Sequence, residues 1–187
     1  MRTLRYPILA TVLMLLLAQL PAQAGWNPLA REKASDQPAE NLKTAETIAN
    51  FKNRDPSMQV FFDKAHGYAV FPTVGKGGMG IGGAYGRGEV YEKGKLVGYS
   101  SLTQLTIGFQ LGGQAYSEII FFKDKATLDH FKSGNFEFSA QASAVAVTAG
   151  ASADAAYNNG VAIFTMAKGG LMYEASVGGQ KFSFTPR

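Results

Sequence analysis

Fifteen residues in the middle of the chain, 74–88, limit what this sequence can fold into. They read VGKGGMGIGGAYGRG, and eight of them are glycine. A glycine in a helix interior costs on the order of 1 kcal/mol relative to alanine, so a helix is strongly disfavoured here. Glycines along a strand instead permit sharp bending and the close approach of another backbone. We therefore predict a curved, glycine-kinked strand with a turn at GKGG, residues 75–78.

The same stretch contains the spacing G-x-G-x-x-G at Gly75, Gly77 and Gly80, directly after an apolar run. In dinucleotide sites this spacing opens a helix, whose first N–H groups bind the phosphates. Here the sequence IGGAYGRG follows, and it cannot start a helix. The spacing therefore favours a kinked strand over a nucleotide site.

The first 24 residues have the pattern of a secretory signal. Two arginines precede an apolar run at residues 8–18, and Ala22-Gln23-Ala24 forms an A-x-A cleavage site. A membrane anchor is the alternative interpretation, but the run is shorter than the roughly 20 residues that span a bilayer. We expect cleavage before Gly25, export, and a periplasmic or secreted protein associated peripherally with a membrane.

The remaining chain is long enough for one domain. Residues 25–38 are polar and predict a flexible lead-in, and residues 39–187 predict a single domain. The net charge of the whole chain is +4, and the signal carries two of those charges. Nucleic-acid binders normally have a larger and more clustered excess, so we expect no nucleic-acid partner. The chain has no cysteine and therefore no disulfide.

The order of apolar patterns predicts an α+β fold. A helix is expected from about Asp36, with Leu42, Ala45, Ile48 and Ala49 at helical spacing, and a second over residues 57–65. From residue 68 the pattern changes to short strands, which a third helix interrupts at residues 125–133. Residues 135–151 again alternate in the manner of a strand. We predict N-terminal helices packed on a strongly curved, glycine-rich, mainly antiparallel sheet, either open or closed as a barrel. The stripe on the second helix either packs on that sheet or binds a membrane.

Two segments resemble each other. Residues 67–71 (GYAVF) are echoed by residues 160–164 (GVAIF), and Lys76-Gly-Gly is echoed by Lys168-Gly-Gly. The echo is either a structural repeat of two hairpins about a pseudo-twofold axis or a chance likeness of glycine-rich strands. A repeat would bring Lys76 and Lys168 to the same rim of the sheet.

Catalytic motifs are not apparent. The chain has two histidines and no HExxH, GxSxG or cysteine nucleophile, and its acidic residues follow no metal-binding spacing. We therefore predict no enzyme and no cofactor. The other candidate function is a protein-interaction or envelope-scaffolding domain that uses an exposed strand edge.

Lysines in or beside turns, together with Arg87 on the glycine-rich strand, are the main candidate binding residues. Such lysines usually protect sheet edges, but on one rim they attract phosphate or anionic lipid headgroups. The single tryptophan, Trp26, either inserts at a membrane interface or packs in the core.

Four ordered stretches carry a resemblance to a known family. They are DKAHGYAVFPTVGKGGMGIGGAYGRGEVY, TIGFQLGGQAYSEIIFFKD, LDHFKSGNFEFSAQASAVAV and VAIFTMAKGGLMYEASVGG. Over roughly residues 45–184 the chain resembles a SYLF domain. The resemblance implies a non-catalytic module that binds phosphoinositides and, in some eukaryotic relatives, actin filaments.

What the resemblance implies for this chain is binding to an anionic phospholipid membrane surface. The lipid contacts would fall on the segment before Tyr68 and on basic residues of the glycine-rich face. The hypothetical lipid-binding residues are Lys64, Lys76, Arg87, Lys168 and Trp26. An exported chain does not meet cytoplasmic actin, so we do not expect actin as a partner.

Overall fold

The glycine-rich stretch lies within one long strand, β1, Gly67–Glu92. A computed structural model describes residues 37–108, 114–169 and 177–187. Within β1 the chain doubles back. A Cβ atom added at Gly67 would lie 2.5 Å from the carbonyl oxygen of Tyr91, and one at Gly88 would lie 2.5 Å from that of Val70. The first and last parts of β1 therefore lie side by side, at a separation that only glycine allows.

The predicted strand is confirmed, but the separate turn at residues 75–78 is wrong. Strand geometry continues through GKGG, and the chain reverses between Lys76 and Gly83 without leaving it. Pairing with two other strands explains this, because Lys76 is opposite Gln114 and Gly80 is opposite Gly108. Because β1 is paired with another strand on each side of the bend, the chain reverses in a gradual curve and not in a tight turn.

The strands of the described residues form one eight-stranded sheet around β1. Its order is β4-β7-β2-β1-β3-β6-β5, with β8 also paired to β2. All pairs are antiparallel except β5 with β6. The described strands form a half-barrel with β4 and β5 at its edges, rather than the closed barrel that was one of the two alternatives. The other strands are β2 Lys95–Gly108, β3 Gln114–Phe122, β4 Phe136–Glu137, β5 Val145–Ala146, β6 Val161–Ala167, β7 Gln180–Phe182 and β8 Thr185–Pro186.

The three predicted helices are present: α1 Gln37–Arg54, α2 Gln59–Lys64 after a 3₁₀ turn at Pro56–Met58, and α3 Lys125–Lys132. Asp55 starts the 3₁₀ turn by accepting from the Ser57 backbone N–H and its hydroxyl, and it also accepts from the Ser152 backbone N–H at 2.7 Å. Burial raises the pKa of Asp55, but these hydrogen bonds outweigh it and hold the pKa at about 2. Asp55 therefore fastens the helices to the loop that contains Ser152.

Side chains on the two faces of the sheet form separate cores. The inner face, which includes Ala69, Phe71 and Tyr116, packs against α3. The outer face packs against α1 and α2 through Phe51 and Phe61. The stripe on α2 thus packs on the sheet, and residues Pro38–Arg187 form one compact unit.

In the second half of the chain one sequence expectation is wrong, and one of two alternatives that the sequence left open is not observed. Residues 135–151 contain only the short strands β4 and β5, since runs of alanine and serine offer too little apolar area to hold a long strand. The pseudo-twofold pairing of hairpins is also absent from the described residues. Residues 67–71 and 161–164 both pair with β3, one on each side, and so run parallel to each other.

Candidate functional site

A cleft lies on the outer face, between α1 and β1. Its volume is about 140 Å³. Acidic, basic and hydroxyl side chains all line this cleft. The lining residues are Lys43, Thr44, Pro72, Thr73, Arg87, Gly88 and Glu89.

Strand alternation places three of the site's side chains in line along β1. Ala84 and Val90 belong to the inner core, so residues of the opposite parity point outward: Tyr85, Arg87 and Glu89. Tyr85 and Arg87 are exposed, whereas Glu89 is buried where α1 covers the strand. The Arg87 Nε donates to the Tyr85 hydroxyl at 3.2 Å.

Thr44 reaches the cleft because the buried side of α1 differs from the predicted one. Thr44, Thr47, Ile48 and Phe51 face the sheet, while Ala45 is exposed. Phe51 has far more apolar area than an alanine and sets the rotation of the helix. The predicted apolar side of this helix included Ala45 and Ala49 and did not include Thr44.

Glu89 forms the anionic floor of the cleft. Its Oε2 accepts from the Tyr91 hydroxyl at 2.6 Å, and its Oε1 has no hydrogen-bond partner among the described residues. Burial and the nearby Glu89 raise the pKa of Tyr91 above the usual range for a tyrosine, so Tyr91 remains a donor. The Thr44 Oγ1 is likewise buried without a partner.

Of the predicted lipid-binding residues, the structure brings Arg87 and Lys168 to the same place. The Lys168 ammonium donates to the Thr73 hydroxyl at 2.8 Å, and Thr73 and Arg87 both line the cleft. With Lys43 from α1, three cationic side chains surround this part of the outer face.

Lys76 shares an end of the sheet with Lys168, but not a face. Lys76 is opposite Gln114, and the Lys168 backbone N–H bonds to the Ala115 carbonyl, so both lie at the start of β3. Lys76 is two residues from Val74 on β1, however, so it is at an inner-face position like Val74. Burial lowers the pKa of Lys76. The predicted common end is confirmed, and a common face is not.

Lys64 is not among the residues that line the cleft. Lys64 lines a separate groove of about 420 Å³ together with Val60, Phe61 and Tyr157. Trp26 lies outside the described residues, as do the predicted signal and residues 25–36. Lys95 lies at the opposite end of β1 and β2 from Gly80 and Gly108.

Next to the cleft, two large apolar side chains are open to solvent. Leu105 is 73% exposed and Tyr85 is 52% exposed. Leu105 is opposite Gly83, two residues from Tyr85 on the same face, so the two side chains are diagonal neighbours across β1 and β2. Neither residue was among the predicted lipid-binding residues.

Other kinds of site find no support in the described ranges. Across residues 37–108, 114–169 and 177–187, no three histidine or acidic side chains come close enough to hold a metal ion. No helix in that part of the chain has the length and apolar composition to cross a bilayer. The edge strands β4 and β5 have only two residues each, which offers little to the strand-edge interaction considered above.

The fold and this site define a class: an α+β half-barrel with a mixed-charge cleft and an apolar patch on its outer face. Within that class, two comparisons bear on the family. The Ysc84 family model, described as Las17-binding protein actin regulator, matches residues 103–186. Beta cell expansion factor A of Aeromonas veronii is 31% identical over 146 residues, which cover 77% of this chain and 55% of that protein.

These matches confirm the predicted resemblance to the SYLF family. The chain spans about half the length of the relative. The family consists of lipid-binding or actin-regulator-like binding domains, in agreement with a non-catalytic role.

Proposed function

We propose that this chain binds anionic phospholipid headgroups at a membrane surface, without catalysis, through the outer face of β1 and β2. One observation supports the proposal most strongly. Two exposed apolar side chains, Tyr85 and Leu105, lie beside the cationic Arg87 on the outer face of the sheet. Apolar insertion next to phosphate-binding cations is the arrangement that an anionic membrane surface favours.

The expected energies are sufficient for reversible binding. Full burial of a leucine side chain contributes about 1.5–3 kcal/mol, and each basic residue close to an anionic surface contributes about 1 kcal/mol. Leu105, Arg87, Lys43 and Lys168 together supply about 4.5–6 kcal/mol before the costs of association are subtracted, so the binding of a single chain should be weak and reversible.

The proposal includes export. The apolar run at residues 8–18 and the A-x-A site before Gly25 support cleavage and a location in the periplasm or outside the cell. The ligand would then be a phospholipid of the cell envelope, and the association would be peripheral.

Vesicle co-sedimentation tests the proposal. The full chain should bind phosphatidylcholine vesicles only when phosphatidylglycerol is added. Binding should weaken between low salt and 0.15 M salt, where the screening length is about 8 Å. The double variant Tyr85→Ser/Leu105→Ser should bind about tenfold more weakly or worse, since each residue loses its inserted apolar surface.

Val60→Ser is the matched control. Val60 is 51% exposed, similar to Tyr85, but it lies on α2 beside the Lys64 groove. It should bind like the parent chain. A loss of binding in Val60→Ser, with the double variant unaffected, would move the membrane contact to the α2 groove. Equal binding to neutral and anionic vesicles would refute the requirement for anionic lipid.

A further inference from the structure

The cleft between α1 and β1 holds two buried oxygen atoms that have no hydrogen-bond partner in the part of the chain that the structure describes. They are the Glu89 Oε1 and the Thr44 Oγ1, on side chains that are almost completely buried. Nearly all buried polar atoms in proteins are paired, and an unpaired buried carboxylate is especially costly. Tyr91 satisfies only the other carboxylate oxygen of Glu89. A ligand that donates hydrogen bonds would complete the site.

The lining of the cleft restricts the chemistry of that ligand. The carboxylate of Glu89 at the floor of the cleft favours a cationic hydrogen-bond donor, whereas the ammonium of Lys43 favours an anion. A bare metal ion fits poorly, because the cations at the opening repel it. A volume of about 140 Å³ suits a group of a few heavy atoms. The ligand should therefore carry an ammonium and a negative charge a short distance apart.

The order of side chains along β1 matches one such group. Tyr85, Arg87 and Glu89 are successive outward positions, and each step of two residues advances about 6–7 Å. They run from apolar through cationic to anionic. An aminophospholipid runs in the same order from its acyl chains through its phosphate to its ammonium.

We propose that the cleft binds a primary ammonium linked to a phosphate, as in an ethanolamine- or serine-type headgroup, with the ammonium on Glu89 and Thr44 and the phosphate near Lys43. The orientation of the headgroup rests on the proposed function, because it assumes that Tyr85 faces the membrane. A quaternary choline ammonium cannot donate to the Glu89 Oε1 and should be rejected.

The first experiment compares vesicles with the same fraction of phosphatidylglycerol, filled with either phosphatidylethanolamine or phosphatidylcholine. The full chain should bind the ethanolamine vesicles about tenfold more tightly. Glu89→Gln should lose this preference yet keep its dependence on phosphatidylglycerol. Any effect of ethanolamine lipid on bilayer packing would persist in the variant, so the variant separates recognition from packing.

Thr44→Val is a second variant, should Glu89→Gln fail to fold, and it should reduce the preference in part. Glu118→Gln is the matched control, because it makes the same substitution at a buried acid on the inner face, away from the cleft, and it should keep the preference. A preference that survives in Glu89→Gln, or equal binding to the two vesicle types, would overturn the proposal.

The second experiment uses soluble glycerophosphoethanolamine and needs no membrane. Chemical-shift changes at the cleft that disappear in Glu89→Gln would show that the headgroup alone is sufficient. If neither this compound nor ethanolamine vesicles engage Glu89, the cleft holds only water and the proposal fails. The proposed function fails separately, if phosphatidylglycerol does not support binding at all.

Discussion

Replacing Glu118 by glutamine should remove most of the dependence of stability on pH between 5 and 8. Glu118 lies on β3 among the apolar side chains of the inner core and is completely buried. Its Oε2 accepts from the Gln180 amide at 3.0 Å, and its Oε1 has no hydrogen-bond partner within residues 37–108, 114–169 and 177–187. Burial raises the pKa of Glu118 from 4.5 to about 8, and the hydrogen bond from Gln180 only partly opposes this rise.

The sign of the effect follows from proton binding. The folded chain holds a proton on Glu118 up to about pH 8, whereas the unfolded chain releases it near pH 4.5. The stability linked to Glu118 is therefore complete below pH 4.5 and is lost progressively as the pH rises to about 8. At roughly 1.4 kcal/mol per pH unit, the loss between pH 5 and pH 8 is about 3 kcal/mol.

Urea unfolding followed by circular dichroism, at intervals from pH 5 to pH 8, measures this loss. The parent chain should lose about 3 kcal/mol of unfolding free energy over that range, while Glu118→Gln should lose little. At pH 8 the variant should be the more stable protein. The range avoids the titration of Asp55, whose stabilising contribution is lost only as the pH falls from 3.8 towards about 2.

Glu137→Gln is the control, because Glu137 is an exposed acid that pairs with Lys181 at 3.6 Å. It should leave the pH dependence of the parent chain unchanged. Equal pH dependence in the parent and in Glu118→Gln would refute the reasoning, since Glu118 would then be ionised in the folded chain.

Three further predictions follow from the geometry. Lys168→Glu should weaken binding to anionic vesicles by about tenfold, and Lys76→Glu by less, because only Lys168 has the outer-face position; equal losses in co-sedimentation would contradict this. Gly88→Ala should destabilise the fold by more than about 2 kcal/mol in urea unfolding, because its methyl group would lie 2.5 Å from the opposing backbone, whereas Gly75→Ala meets nothing within 4 Å and should cost little. Mass spectrometry of the exported protein should find Gly25 at the N-terminus, and an intact membrane-bound form would show an anchor instead.

The sequence predicted most of the elements because their local signals are strong. Asp55 and Asp124 cap the helical segments that they precede, each by accepting from a backbone N–H. The turns at Lys93-Gly94 and at Asn159-Gly160 have positive φ angles, as their composition indicates. These features depend on a few neighbouring residues, so a single sequence is enough to reveal them.

The site could be predicted only in part, because it depends on contacts between distant segments. The proximity of Lys168 and Thr73 requires that β1 and β6 both pair with β3. The position of Thr44 depends on how Phe51 turns α1. The alternation of Tyr85, Arg87 and Glu89 with small residues was visible in the sequence and could have indicated one outward face, but not that α1 would bury Glu89.

Along the last part of β1, residues at even positions point inward and those at odd positions point outward, and we expect the two sets to affect different properties: stability and lipid binding. Gly86 and Gly88 are at inward positions, where an added Cβ atom would meet the first part of the strand. Their lack of a side chain lets β1 double back, and this fold-back brings Thr73 beside Arg87 in the cleft. The outward positions between and beside these glycines carry the charge and apolar area of the proposed site. Substitutions at even positions should therefore change the free energy of unfolding, and those at exposed odd positions should change lipid binding. Glu89 is odd but buried, so it is the one position of this segment where both quantities should respond.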